Sequence, residues 1–204
     1  ELRIFHDREL PLNQVVPILA NFGLQVLDED STRIEVGHAR AGYLYSFTVL
    51  GPDGDRILEA AAQQRLAAAV SAILRGQYRD HGLNSLLLSA GLDWEQIDIL
   101  IGYRNYYLQL NKDFTPATLD ASLTLHPALA QLFLRYFRHR FHPDEETYGD
   151  RLHREEVTLP ALQAEVKAEL AKVRGIAHDK VLRNLFNLLS ATVRTSWFKQ
   201  MVRP

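Results

Sequence analysis

Apolar residues alternate with polar ones in the first part of the chain and recur every three or four positions after it. Leu2-Arg3-Ile4-Phe5-His6 alternates and predicts a strand. Pro11 opens a helix carrying Val15, Ile18, Leu19 and Phe22, and Gly23 stops it. Pro17 falls inside that pattern and costs a hydrogen bond unless it still lies in the first turn. Leu24-Gln25-Val26-Leu27 predicts a second strand with Asp28-Glu29-Asp30-Ser31 as its solvated end. Tyr43 to Leu50 alternates through Tyr43, Tyr45, Phe47 and Val49, and Gly51-Pro52-Asp53-Gly54 turns the chain. Residues 1–54 are therefore expected to form a small β-α-β-β unit.

From Asp55 the period becomes helical. Leu58, Ala62, Leu66, Val70 and Ile73 or Leu74 share a face, and Gly76 ends it. The alanine-rich middle favours helix and lets a neighbour approach closely. Gly82 to Ile97 holds a short apolar helix, a stop at Gly91, and a restart capped by Asp93 with Gln96 at the third position. Ile97, Leu100, Ile101, Arg104 and Leu108 form the next stripe. Thr115-Pro116 starts a helix with Leu119 and Leu123, and His126-Pro127 breaks and restarts it. Leu129, Leu132, Phe133, Tyr136, Phe137, Arg140 and Phe141 give an aromatic face. Pro143 to Asp150 is polar and predicts a loop. Thr158-Leu159-Pro160 opens a helix with Leu162, Val166, Leu170 and Val173 inward, ending near Gly175. A last helix over Asp179 to Thr195 turns Leu182, Leu185, Phe186, Leu189 and Val193 inward. The expected fold class is α+β, predominantly α: the β-α-β-β unit at 1–54, then a multi-helix bundle as a helical domain over 55–204.

Composition narrows the function. The chain has 204 residues, a net charge of -2 and no cysteine. Disulfides, thiolate catalysis and cysteine metal sites are excluded, and the absence of cysteine suits the reducing cytoplasm. No sequence-wide positive field draws in nucleic acid or anionic lipid, and no apolar run reaches the ~18 residues a membrane helix needs. The expectation is no nucleic-acid and no membrane partner. The first residue is Glu1 and a helix trails off into Pro204, so the chain is expected to be part of something longer.

Catalytic chemistry finds little support. The eleven glycines never take the G-x-G-x-x-G spacing of a dinucleotide site, and no P-loop is present. No Ser, Asp and His spacing resembles a triad or nucleophile elbow. His139, His142 and His153 with Asp144, Glu145 and Glu146 are the one concentration of metal-capable side chains. Zinc needs three or four converging ligands, whereas imidazole and arginine at a helix C-terminus simply offset the macrodipole. No catalytic, cofactor-binding or metal residue is assigned. Leu83 to Tyr107 resembles a helix-turn-helix, but its second helix begins Trp94-Glu95-Gln96-Ile97-Asp98, acidic where base edges need donors. An ordinary αα corner accounts for it, and a DNA-binding regulator is the weaker alternative. Tyr103, Tyr106 and Tyr107 suit a core edge or a partner contact. Trp197-Phe198 near the chain end needs a covering surface. Trp94, Tyr103, Tyr106, Arg194, Trp197 and Phe198 are the candidate inter-domain or subunit contacts.

Leu83-Asn84-Ser85-Leu86-Leu87-Leu88-Ser89-Ala90-Gly91-Leu92-Asp93-Trp94, with Tyr103 and Tyr106, resembles the N-x-L-x-x-x-A-G-L-x-W run upstream of the catalytic domain in large bacterial NAD-dependent glutamate dehydrogenases. His126-Pro127-Ala128-Leu129-Ala130 through Phe137, Arg140-Phe141 and Pro143 is similar too, as is Asn187 through Phe198, in the same order over roughly residues 80 to 200. The resemblance implies that residues 1–54 are the end of an ACT-like regulatory region, without a closing strand and with His6-Asp7-Arg8-Glu9-Leu10 in place of the usual glycine-bearing first loop. It implies a regulatory, structural segment whose glutamate- and NAD-binding residues lie beyond Pro204. Its partners would then be the catalytic domain of the same chain, further copies in a homo-oligomer and an amino-acid effector. A stand-alone amino-acid-sensing ACT-like module is the alternative.

Overall fold

Tyr45 and Phe47 are buried on the middle strand of a three-stranded antiparallel sheet, ordered β1-β3-β2, in the computed structural model of the chain. The structure describes residues 1–36, 40–52, 54, 58–110 and 113–200. They divide into two compact units, Glu1–Trp94 and Glu95–Pro204.

In the first unit β1 (Leu2–His6), α1 (Leu12–Asn21), β2 (Gln25–Val36) and β3 (Arg40–Leu50) follow in the expected β-α-β-β order. Ile4, Tyr45 and Phe47 of the sheet and Val15, Ile18 and Leu19 of α1 are all buried. The Tyr45 hydroxyl accepts from the Leu10 backbone N–H at 2.6 Å, so even this core phenol is satisfied. Pro17 lies in the second turn of α1, not the first. The lost backbone bond is tolerated because Pro17 faces outward. Gly23 closes the helix with φ 82, a conformation that side chains rarely adopt.

The acidic run does not end β2 as expected. The strand continues through Asp28, Glu29 and Asp30, paired with Thr48, Phe47 and Ser46. A bulge between Val26 and Asp28 takes up Leu27, which is exposed. β2 is an edge strand, so Asp28 and Asp30 stay solvated and blunt that edge against further pairing. Gly51 and Gly54 exchange backbone bonds at 3.2 and 3.0 Å and form the predicted turn; Asp53, between them, lies outside the described residues.

α2 (Ala60–Leu74) buries Leu66, Ala69, Val70 and Ala72. Leu58 precedes it and Ala62 is only half-buried, so the buried stripe is rotated towards the small alanines, where α3 packs. A 3₁₀ turn (Gly82–Ser85) leads into α3 (Leu86–Ser89), which closes at Ala90 and Gly91. Asn84, fully buried, accepts from Tyr78 Oη at 2.8 Å and donates to Asp80 at 3.1 Å. Asp80 also accepts from Asn21 at 2.7 Å, which ties α1 to this turn.

α4 (Trp94–Leu110) begins directly after Asp93 and buries Ile97, Ile99, Leu100 and Tyr107. In the second unit α5 (Pro116–Thr124) starts as predicted, its Thr115 hydroxyl accepting from Thr118 N–H at 3.2 Å. α6 (Pro127–Phe141) packs chiefly on α9 (Leu159–Leu170), and α5 on α10 (Ile176–Ala191). Phe133 and Tyr136 of α6 meet Phe186 of α10 at ring separations of 5.5 and 5.2 Å. Each such buried ring contributes roughly 1.5–3 kcal/mol.

Three expectations fail here. Pro143 to Asp150 holds a one-turn helix, α7 (Glu145–Tyr148), because Asp144 accepts from the N–H groups of Glu146 and Thr147. The helix expected at Thr158 starts earlier, as α8 (Arg151–His153), and passes through a π turn (Arg154–Thr158) into α9. Finally, α10 stops at Ala191, since Thr192 is extended (φ −64, ψ 124), and Val193 is 86% exposed instead of inward.

Candidate contact groove

One face of α4 is buried, and its remaining face forms one wall of a groove in the second unit. The other wall is the end of α10 and the extended segment after it. The space is about 640 Å³ and is lined by Asp98, Gly102, Tyr103, Tyr106, Leu188, Thr192, Arg194 and Trp197, among others. Four of the six candidate contact residues, Tyr103, Tyr106, Arg194 and Trp197, meet here.

Tyr103 is the hinge-pin of the groove. Its ring meets Phe137 edge-on at 6.2 Å, and its hydroxyl donates to Thr192 Oγ1 at 2.9 Å. The Thr192 hydroxyl donates in turn to the Leu188 carbonyl at 2.8 Å, and its carbonyl accepts from Arg140 Nε at 3.1 Å. Three helices are thus tied at the residue where α10 ends. Burial pushes the Tyr103 phenol above its ordinary pKa, against smaller lowering effects of Thr192 and Arg140. Burial likewise raises the Asp98 carboxyl at the groove wall. Tyr106, half-exposed, offers an apolar ring with a polar tip to whatever lies outside.

The other two candidates are occupied elsewhere. Trp94 packs its ring on Tyr78 at 5.3 Å. Phe198, on a closing 3₁₀ turn (Trp197–Gln200), is buried against Phe137 at 5.8 Å and His142 at 4.7 Å. An earlier helix therefore supplies the cover its sequence position demanded.

The histidine-rich corner has a different chemistry. Among the described residues no group of three or more metal-capable side chains converges. Arg154 occupies the spot, donating from Nη1 to the carbonyls of His139 and His142 at 3.2 and 2.7 Å and capping the end of α6. Desolvation first, then Arg135 and Arg154, hold the His139 imidazole below its ordinary pKa. No hydrophobic periodicity marks Arg154, so sequence reasoning missed it. The fully buried Asn84 was legible only as a letter of a motif.

A sheet-bearing β-α-β-β unit followed by a helical module is the class that the fold defines. Residues 1–62 match the family model described as "Glutamate dehydrogenase, ACT3 domain", and residues 78–143 match "Glutamate dehydrogenase, helical motif 3". Both models describe parts of glutamate dehydrogenase, and the two matches follow one another along the chain. It is 27% identical over 198 residues, 97% of its length, to the NAD-specific glutamate dehydrogenase of Pseudomonas aeruginosa. It is 28% identical over 196 residues, 94% of its length, to that of Mycobacterium tuberculosis. A third NAD-specific glutamate dehydrogenase, from Halomonas elongata, is 24% identical over 204 residues, 98% of this chain. The chain spans only 12% of the length of each of these relatives. Among the described residues no helix is long and apolar enough to cross a membrane.

Proposed function

We propose that this chain is a regulatory and structural segment of an NAD-dependent glutamate dehydrogenase, which oxidatively deaminates glutamate to 2-oxoglutarate and ammonia. The observation that carries the reading is the succession of an ACT3 match and a helical motif 3 match within one chain, with relatives eight times its length. Residues 1–54 then form the regulatory β-α-β-β part and residues 55–204 a helical part. The catalytic domain, elsewhere in the same polypeptide, binds glutamate and NAD in a cytoplasmic homo-oligomer.

The groove beside α4 is where that catalytic domain packs. Half-exposed aromatics with polar tips around an apolar floor are the side chains that interfaces favour. A regulatory effect through this contact requires that the two parts share a two-state element. The test has two arms. In the full-length protein, Tyr106→Ala with Trp197→Ala should lower the rate of glutamate oxidation, while the isolated chain keeps its thermal midpoint. The isolated chain itself, given glutamate and NAD, should release no NADH; steady NADH production would remove the proposal.

A second reading, an amino-acid effector site in the first unit, draws on a recess of about 500 Å³ between the sheet and α2. Its walls are mostly aliphatic (Leu2, Leu24, Val49, Leu66), and at its lip Arg3 and Glu1 pair with each other at 2.9 Å. An amino acid's charged groups would exchange with that pair. Micromolar binding of one amino acid in a calorimetric panel supports the site, and silence across the panel ends it.

A further inference from the structure

A second recess in the helical unit, of about 730 Å³, lies between the end of α6, the π turn and the strand-like segment after α10. Four arginines line it, Arg140, Arg151, Arg154 and Arg194, against two carboxylates, Glu145 and Glu155. Arg154 is the unusual one. It is only 8% exposed, its Nη1 is spent on two backbone carbonyls, and its buried Nε donates to nothing. Among the described residues Arg140 likewise bonds only neutral groups, the Thr192 carbonyl and the Tyr136 hydroxyl, at 3.1 Å each. Glu155 is close enough to both to feel their charge, yet its carboxylate is held by Arg151 Nε at 2.8 Å.

A guanidinium out of water without a carboxylate partner is costly, and a folded chain keeps one where something else supplies the negative charge. The α6 carbonyls supply partial charge to one nitrogen of Arg154 only. The planar fork of arginine matches a bidentate oxyanion, and the recess limits the water that would screen it. Phe141, Leu159 and Pro160 give the same recess an apolar wall.

We propose that this recess binds a small doubly charged oxyanion, a dicarboxylate or a phosphate, held by Arg154 and Arg140 with Arg151 at the rim. Glu155 opposes the ligand and tempers its affinity.

Calorimetric titration of the intact chain at constant ionic strength, with inorganic phosphate, succinate, and chloride as control, tests the site. Saturable binding of phosphate or succinate is expected, with a dissociation constant below about 1 mM. Tighter succinate identifies a carboxylate ligand, and tighter phosphate a phosphoryl one. Arg154→Gln should weaken binding at least about tenfold, and Arg151→Gln about threefold. Glu155→Gln should strengthen it about threefold by removing a like charge. Arg151 and Glu155 are exposed, so their variants carry the test should Arg154→Gln fail to fold. Absence of saturable heat with both anions overturns the proposal, as does an affinity that Arg151→Gln and Glu155→Gln leave unchanged.

Discussion

Replacing Thr192 with valine would cut the joint that holds the groove's two walls together. The Thr192 hydroxyl receives the Tyr103 phenol at 2.9 Å and reaches the Leu188 carbonyl at 2.8 Å. Valine keeps the β-branch and suits the extended backbone at φ −64, ψ 124. The Arg140 bond to the Thr192 carbonyl therefore survives, and the substitution isolates the hydroxyl. Each lost hydrogen bond costs about 1 kcal/mol net, and the half-buried Tyr103 hydroxyl loses its acceptor, so the total is about 2 kcal/mol. For a chain of this length that lowers the melting temperature by about 4–8 °C. Tyr103→Phe removes only one of the bonds and should cost about 1 kcal/mol. In the double variant the shared bond can be lost only once, so the cycle should return a coupling of about 1 kcal/mol. Urea and thermal unfolding of the four proteins, followed by circular dichroism, supply the numbers. Unchanged midpoints for Thr192→Val, or two single effects that simply add, would show that this hydroxyl pair does not hold the groove.

Other perturbations follow from charge. Asp98 has a raised pKa, so its ionised form disfavours folding: stability present below the ordinary carboxylate value of about 4 is lost as pH rises through the folded one. Asp98→Asn should therefore stabilise the fold at pH 7, by less than about 1 kcal/mol because the residue is exposed, and have no effect in acid, as read from thermal melts at the two pH values. Asp120→Ala strands the Arg104 guanidinium, which it now holds through bonds of 2.8 and 2.9 Å, with side chains only 13% and 23% exposed. The loss should be about 2–3 kcal/mol of unfolding free energy, read from urea denaturation. The imidazoles of His126 and His139 are both held low, chiefly by desolvation. The unfolded chain then takes up protons first, so stability present above about pH 6.5 should fall as acid is added, and His139→Gln should flatten part of that slope in a pH series of melts.

The helix starts were the most legible features, because Thr115-Pro116 and His126-Pro127 carry their own local chemistry and need no tertiary partner. β2 was half-read: an edge strand with Asp28 and Asp30 in solvent shows no alternation, and the bulge at Leu27 breaks what there is. The stretch from Arg151 to Thr158 was invisible, since its buried side chain is an arginine and its backbone departs from the α period. Val193 misled because helical spacing continues through it, while the Thr192 hydroxyl and its extended backbone end the helix one residue sooner. The candidate contacts gathered by sequence split for a similar reason. Local spacing puts Tyr103 and Tyr106 on one helix, but only folding reveals that Arg194 and Trp197 arrive opposite them and that Phe198 turns inward.

The π turn acts as a phase shifter. In an uninterrupted α-helix, side chains five positions apart diverge by about 140° around the axis. Arg154 and Leu159 nevertheless both face inward, at 8% and 6% exposure, and the Leu159 N–H bonds to the Arg154 carbonyl. Deleting a single residue between them would leave the two side chains four positions apart, about 40° around a plain α-helix, so the guanidinium and the aliphatic stripe of α9 would both stay inward without the π turn. The wide turn thus admits one residue more than an α-helix would, without moving either inward side chain.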